Sequence, residues 1–207
     1  MSQAPKLAAI VLAAGSSTRM GQTKQLLRLN ESTLLASVLQ TIRAAQIPEI
    51  VIVLGHNADE IRRTLDEQTA RIVVNPNHAA GLSSSLQVGL ATLAPSTDAA
   101  FIALADQPYV REETYAALRG AYTRTRAPIV IPTHNGKRGN PALLARSLFP
   151  ELMKLEGDVG ARAVFAHHTG EILKVPVDDP GILIDFDTPE DLATHGVSSP
   201  RPPRTDK

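Results

Sequence analysis

The chain has 207 residues, 43% of them hydrophobic, and its 21 lysines and arginines balance 21 aspartates and glutamates. With no global field to draw nucleic acid or an anionic membrane, any anionic ligand must be held by a local site, and with no cysteine, disulfides, iron–sulfur clusters, thiolate zinc sites and thiol nucleophiles are excluded. Residues 1–6 carry no signal-peptide core and no apolar run reaches the length of a membrane span, so the expectation is a cytoplasmic protein with one α/β domain over 1–195.

The apolar run at 7–13 reads as a buried strand. It passes into Leu12-Ala13-Ala14-Gly15-Ser16-Ser17-Thr18-Arg19-Met20-Gly21-Gln22-Thr23-Lys24, which turns abruptly small and polar and is therefore a loop at the strand's end. Ala13, Ala14 and Gly15 let backbone N–H groups approach an anion, and Ser16, Ser17 and Thr18 add hydroxyl donors. Arg19 and Lys24 bring permanent positive charge, and together these parts make a nucleotide-phosphate site. Spacing excludes both the three-glycine dinucleotide fingerprint and the P-loop. The string Leu12-Ala13-Ala14-Gly15, Ser17, Arg19-Met20-Gly21 and Lys24 resembles the signature of the MobA-like nucleotidyltransferases, and most of all their molybdenum cofactor cytidylyltransferase branch.

A helix is predicted over 32–46, with Leu34, Leu35, Val38, Leu39 and Ile42 on one face and Pro48 ending it. The β-branched run 49–54 reads as a strand buried on both faces. Gly55-His56-Asn57 turns the chain, and Asn57 with Glu60 predicts a capping box for a helix carrying Ile61 and Leu65. Residues 71–74 form a third strand. This alternation predicts a Rossmann-like, doubly wound, mostly parallel sheet with helices on both faces, and the resemblance implies the nucleotide-diphospho-sugar transferase version of that fold.

Leu86, Leu90 and Leu93 share the face of the next helix, which places Ser83, Ser84 and Ser85 at its start. Those serines suit capping; the resemblance of Gly81-Leu82-Ser83-Ser84-Ser85-Leu86 to a nucleotide-contacting segment implies that Gly81 admits the base and the hydroxyls bond its polar edge. The strand at 99–105 stops at Asp106-Gln107-Pro108, and an acid just past a central strand lies in the crevice where open α/β sheets bind ligands. Its carboxylate is a hard oxygen ligand suited to Mg²⁺, and the tetrad from Ala105 resembles the family's metal motif.

A structural helix carrying Tyr115, Leu118 and Tyr122 and a strand at 128–131 come next. The polar loop 133–141 is the kind of segment that reads a second substrate; Gly139-Asn140-Pro141 stands where the family commonly has Gly-His-Pro. A helix at 147–155 precedes a short one that Asp158 would cap, and Arg162 resembles a position found in part of the family, where it would meet either a substrate phosphate or a structural ion-pair partner. The segments 171–177 and 182–186 flank Asp178-Asp179-Pro180-Gly181 and predict a hairpin. Alternation puts Asp185 and Asp187 on one face, Thr188 caps a helix opened by Pro189, and this run resembles the element that closes the family's active site. From 196 to 207 the chain is Ser/Pro/Arg-rich, and an unstructured tail is expected.

The resemblance implies an enzyme moving CMP from CTP to the terminal phosphate of molybdopterin or its molybdenum-loaded form, releasing pyrophosphate. It implies Mg²⁺ on Asp106 and Asp187 with Asp185 in reserve, catalytic roles for Arg19, Lys24 and Asp106, an acceptor site at Gly139, Asn140, Pro141 and Arg162, and a molybdoenzyme or its chaperone as recipient. GTP or another phosphate acceptor, a flavin-type oxidoreductase, and a cofactor-delivery protein without catalysis stand as alternatives.

Overall fold

Seven consecutive residues buried on both sides make β1 (Leu7–Ala13) the middle of the protein. The structure, a computed structural model, describes residues 4–15, 23–29, 31–66, 70–195 and 197–198. After β1 come β2 (Arg28–Leu29), β3 (Ser32–Thr33), α1 (Leu34–Ala44), β4 (Glu49–Leu54), α2 (Ala58–Arg62) and β5 (Arg71–Val74). Then follow α3 (Leu82–Thr92), β6 (Ala99–Leu104), α4 (Glu112–Thr125), β7 (Ile129–His134), β8 (Lys137–Arg138) and β9 (Ala142–Ala145). The described chain ends with α5 (Phe149–Leu152), β10 (Ile172–Pro176), α6 (Pro189–His195) and β11 (Val197–Ser198).

The main sheet runs β10-β7-β9-β6-β1-β4-β5, with β8 added to β7. β1 is parallel to β4 and β6, while β9 runs antiparallel to both its neighbours. The expected doubly wound, mostly parallel architecture is thus present. Alternation along β1 divides the core: Leu7, Ala9, Val11 and Ala13 face α1, α2 and α4, whereas Ala8, Ile10 and Leu12 face α3 and α5. The chain lays β4 and β5 outward from β1, then returns through α3 to start β6 on β1's other side. That reversal opens a crevice at the carboxyl ends of β1 and β6.

A second, three-stranded antiparallel sheet, β11-β2-β3, sits over a small cluster of Leu27, Leu29, Leu34, Phe186 and Leu192. It clamps the turn at Lys24–Leu26 and the segment around Phe186 above the crevice. Its strand β11 lies inside the segment expected to be unstructured, pairing Val197 with Leu29; residues 196 and 199–207 lie outside the described residues. No helix among the described residues is long and apolar enough to cross a membrane.

Several local expectations are corrected. Ser32 and Thr33 belong to β3, so α1 begins at Leu34, with the Thr33 hydroxyl accepting from Ala36 N–H at 3.1 Å. The Asn57 capping box does not form: Asn57 adopts a left-handed backbone (φ 55°), and its side-chain amide donates to Thr23 Oγ1 at 2.6 Å. The helix expected over 147–155 is a 3-10 turn at Arg146–Leu148 followed by four-residue α5. The hairpin of 171–177 with 182–186 is also absent, because β10 pairs in parallel with β7 instead. Asp179 explains this, since its buried carboxylate accepts from Arg111 N–H, Thr114 Oγ1 and Gly181 N–H at 2.9, 2.6 and 2.9 Å. Held against the start of α4, the turn becomes a 3-10 helix at Pro180–Leu183, and the chain beyond it docks on loops: Ile182 O accepts from Asn140 N–H and Phe186 N–H donates to Asp106 O.

Candidate active site

The crevice holds a cavity of about 860 Å³ whose lining includes Ala14, Gly15, Lys24, Ser85, Asp106 and Asp187, a size suited to a nucleotide-scale ligand. Strand pairing brings its two walls together, since Ala105 N–H donates to Leu12 O just before Asp106 leaves the sheet. Leu12, Ala13 and Ala14 are buried and Gly15 is exposed at the rim. Ser16, Ser17 and Arg19 lie outside the described residues.

The charged centre is a lysine held between two acids. Lys24 Nζ reaches Asp106 Oδ2 at 2.5 Å, Asp187 Oδ1 at 2.8 Å and the Phe186 carbonyl at 3.2 Å. The lysine and Asp106 side chains are only 15% and 16% exposed, whereas Asp187 is half open at 49%. Burial alone would lower the lysine's proton affinity, but the charges and hydrogen bonds of Asp106 and Asp187 outweigh it and hold the ammonium above its ordinary range. Asp106 Oδ1 is buried with no hydrogen-bond partner among the described residues. Nearby Asp185 is pushed up, first by burial and then by the negative charges of Asp187 and Asp106. An excess of carboxylate faces the cavity, which therefore favours a cation. Among the described residues no group of three or more acidic, histidine or cysteine side chains forms a ready metal cage, but Mg²⁺-type ions are held by one or two carboxylates with substrate phosphates completing the shell.

The start of α3 is capped from across the fold rather than by its own serines. Asp158 Oδ1 accepts from Leu82 N–H at 3.2 Å, so Asp158 caps α3 and not the 3-10 helix that follows it. The Ser83 hydroxyl donates to Gly157 O at 2.7 Å and the Ser84 hydroxyl to Gly81 O at 2.8 Å, and neither lines the main cavity. Ser85 does line it; its oxygen accepts from Asn75 Nδ2 at 3.0 Å. Gly81 has φ 107°, and a Cβ there would stand 2.4 Å from the Gly157 carbonyl group. Its glycine is required by this packing of two loops, whatever binds beside it.

On the far side of Asp185, the loop expected to read the acceptor is fixed by Gly139 packing on Ile182 and by the Asn140–Ile182 backbone bond. Asn140 precedes a cis bond to Pro141, and Asn140 Oδ1 accepts from Arg162 at 3.2 Å. Arg162 is held below its ordinary value by burial and by the neighbouring Arg138 guanidinium, which lies over the Phe165 ring; the Asp185 charge opposes this. Two residues here escape a reading of the sequence and a third is misplaced by it. Gln25 was legible as a polar residue directly after Lys24 and before two leucines; Asp158 was noticed but assigned to the wrong helix; and Arg138 had no distinguishing local signal.

Known proteins resemble the chain along most of its length. The family model for the MobA-like NTP transferase domain matches residues 9–172. The chain is 28% identical to the molybdenum cofactor cytidylyltransferase of Escherichia coli over 187 residues, 89% of this chain and 93% of that one. It is 29% identical over 200 residues to the nicotine blue oxidoreductase of Paenarthrobacter nicotinovorans, 91% of this chain and 95% of that one. Among solved structures, Rv0371c of Mycobacterium tuberculosis superposes with a TM-score of 0.81 at 28% identity, covering 94% of this chain and 98% of its own. A manganese complex of the same protein superposes with a TM-score of 0.77 at 26% identity, covering 93% and 98%.

Proposed function

Because the chain belongs to the MobA-like NTP transferase family, and is thereby a nucleotidyltransferase, we propose that it moves CMP from CTP to the terminal phosphate of a molybdopterin-type acceptor and releases pyrophosphate. The observation that carries this reading is the Lys24–Asp106–Asp187 centre at the switch-point cavity, with the second oxygen of Asp106 buried and unpartnered among the described residues. That unpartnered, hard oxygen beside a half-open second carboxylate fits a divalent cation of the Mg²⁺ class, and the manganese complex of Rv0371c supports the fit. Asp106 and Asp187 would hold the ion, with Asp185 next to them, and it would supply charge stabilisation at the transferring phosphate.

An acceptor phosphate oxygen attacks the α-phosphorus, the bond from that phosphorus to the β-phosphate oxygen breaks, and pyrophosphate departs with the electron pair. No side-chain nucleophile is needed; the protein's contribution is positioning and charge. Lys24 moves from its acids to the phosphates, the N–H groups of the turn after β1 receive the triphosphate, and Arg19 adds charge. Ser85, whose oxygen already accepts from Asn75, directs its proton toward the base. Asn140 and Arg162, with Gly139 and Pro141 fixing their loop, receive the acceptor. Pyrophosphate release from CTP and purified molybdopterin tests the reading; release dependent on another acceptor, or preferred with GTP, overturns it. A second reading, redox chemistry, is favoured by the match to nicotine blue oxidoreductase, and a substrate-dependent change in flavin or nicotinamide absorbance without pyrophosphate would support it.

A further inference from the structure

Resting on the cavity being a nucleotide site, we propose that Gln25 is a positioning residue that gives the turn after β1 its anion-binding face. Gln25 is 2% exposed, and its Nε2 donates to Ala13 O at 3.1 Å and to Gly15 O at 3.2 Å. The carbonyl between them, Ala14 O, accepts from His56 N–H at 3.3 Å. Three successive carbonyl oxygens are therefore turned onto protein donors at the edge of the cavity. A triphosphate is repelled by carbonyl oxygens and attracted by N–H groups, so a backbone that is to receive one must first turn its oxygens away. Because the C=O and N–H of a trans peptide point in opposite directions, tying down Ala13 O turns the Ala14 N–H away from Gln25.

The side chain's own satisfaction argues for this role over simple packing. With both amide protons committed to carbonyls, the amide cannot be flipped, since Oε1 would then face two acceptors. Oε1 is left buried with no partner among the described residues. An apolar residue of the same length would fill the space without a desolvated oxygen, so what the glutamine contributes is its pair of donors. Those donors sit one residue from Lys24 in the 3-10 turn Lys24–Leu26, anchored by buried Leu26 and Leu27. One rigid turn thus delivers the cation to the acids and orients the phosphate-facing backbone.

Calorimetric binding of CTP, inorganic tripolyphosphate (each with Mg²⁺) and cytidine to wild type, Gln25→Met and Gln25→Glu provides the test. Folded Gln25→Met should bind CTP and tripolyphosphate about tenfold or more weakly while cytidine binding changes by less than about threefold, and Gln25→Glu, which puts acceptors against the carbonyls, should be worse. A lower melting temperature with unchanged affinities for CTP and tripolyphosphate would mean a merely structural glutamine and overturn the proposal. If wild type prefers another nucleoside triphosphate, the cytidylyl reading fails while the tripolyphosphate comparison still decides Gln25. Should the variants not fold, wild-type NMR decides: slow exchange of the Gln25 side-chain protons with an Ala14 N–H resonance that moves on adding tripolyphosphate supports the role, and fast exchange or an unmoved Ala14 resonance refutes it.

Discussion

Replacing Lys24 by Met keeps most of the side-chain stem and removes the charge that joins Asp106, Asp187 and the Phe186 carbonyl. Deleting one partner of a buried pair costs about 3–5 kcal/mol, and because Lys24 and Asp106 are each about a sixth open to solvent, we take the lower figure, about 3 kcal/mol. The Asp187 contact adds nothing to that figure, since a half-open carboxylate is screened. For a chain of this size, about 3 kcal/mol corresponds to a fall in melting temperature of roughly 6–12 °C. The lysine's folded value is raised, so its contribution is complete below the unfolded value near 10.5 and is lost only as pH rises through the higher folded value; at neutral pH the loss in the variant is full. The variant leaves carboxylates with no ammonium between them, and Mn²⁺ should then bind where the lysine stood. A ligand at a hundred times its dissociation constant stabilises by about 2.7 kcal/mol, enough to restore most of what was lost. Thermal unfolding of both proteins in EDTA and in Mn²⁺ without nucleotide is the assay. A variant as stable as wild type in EDTA, or one that gains no more from Mn²⁺ than wild type does, would refute the reasoning.

Asp106→Asn should keep the fold and lower turnover roughly a hundredfold or more, read by steady-state pyrophosphate release, since under the proposed role its charge acts at the transition state. Asp185→Asn should raise the melting temperature at pH 7 but not at pH 3: burial first, then Asp187 and Asp106, raise the folded value of this acid, so native stability falls as pH rises through it, and the amide removes that fall. His168, 2.7 Å from Glu151 and 3.4 Å from Glu171, is raised chiefly by its bond to Glu151; its contribution to stability is complete below about pH 6.5 and lost as pH rises through the higher folded value. Glu151→Gln should bring the His168 NMR titration down toward its ordinary midpoint. On the proposed cytidylyl reading, Ala14→Gly should relax the preference for CTP over GTP without reversing it in equimolar competition, because one methyl group discriminates by only ~1–3 kcal/mol.

The strands were legible because burial on both faces leaves continuous apolar runs at 7–13, 50–54 and 99–104, and Asp106 was legible because it interrupts one of them at its carboxyl end. Local rules also held at Thr188, where its N–H donates to Asp191 Oδ2 at 2.8 Å and its hydroxyl accepts from Asp191 N–H at 3.3 Å, the reciprocal pattern of a capped helix. What failed were residues whose partners are remote in sequence. Asn57 and Asp158 have the composition of caps for their own helices, yet Asn57 bonds Thr23 and Asp158 bonds the start of α3, 76 positions away. A propensity states what a side chain can satisfy and not which of several orphan donors will reach it first.

The same distinction explains why the proposed nucleotide half of the crevice was more legible than the proposed acceptor half. Ala14, Gly15 and Asp106 follow the ends of two adjacent parallel strands, so a strand assignment carries them automatically to one place. Asn140 and Asp185 come from separate loops and Arg162 from the 3-10 helix Ala161–Ala166, and the path that brings Asp185 here follows from Asp179 converting an expected hairpin into a 3-10 turn. With the hairpin, Ile182 and Phe186 would bond β10, and neither Asn140 nor Asp106 would have its present backbone partner. Asp179 thus acts on the site through the path of the chain. Asp179→Asn retains shape but loses the charge that three donors converge on, so it should disturb acceptor use more than nucleotide binding. A variant whose KM for CTP rises while that for the acceptor stays fixed would show that the turn supports the nucleotide half instead.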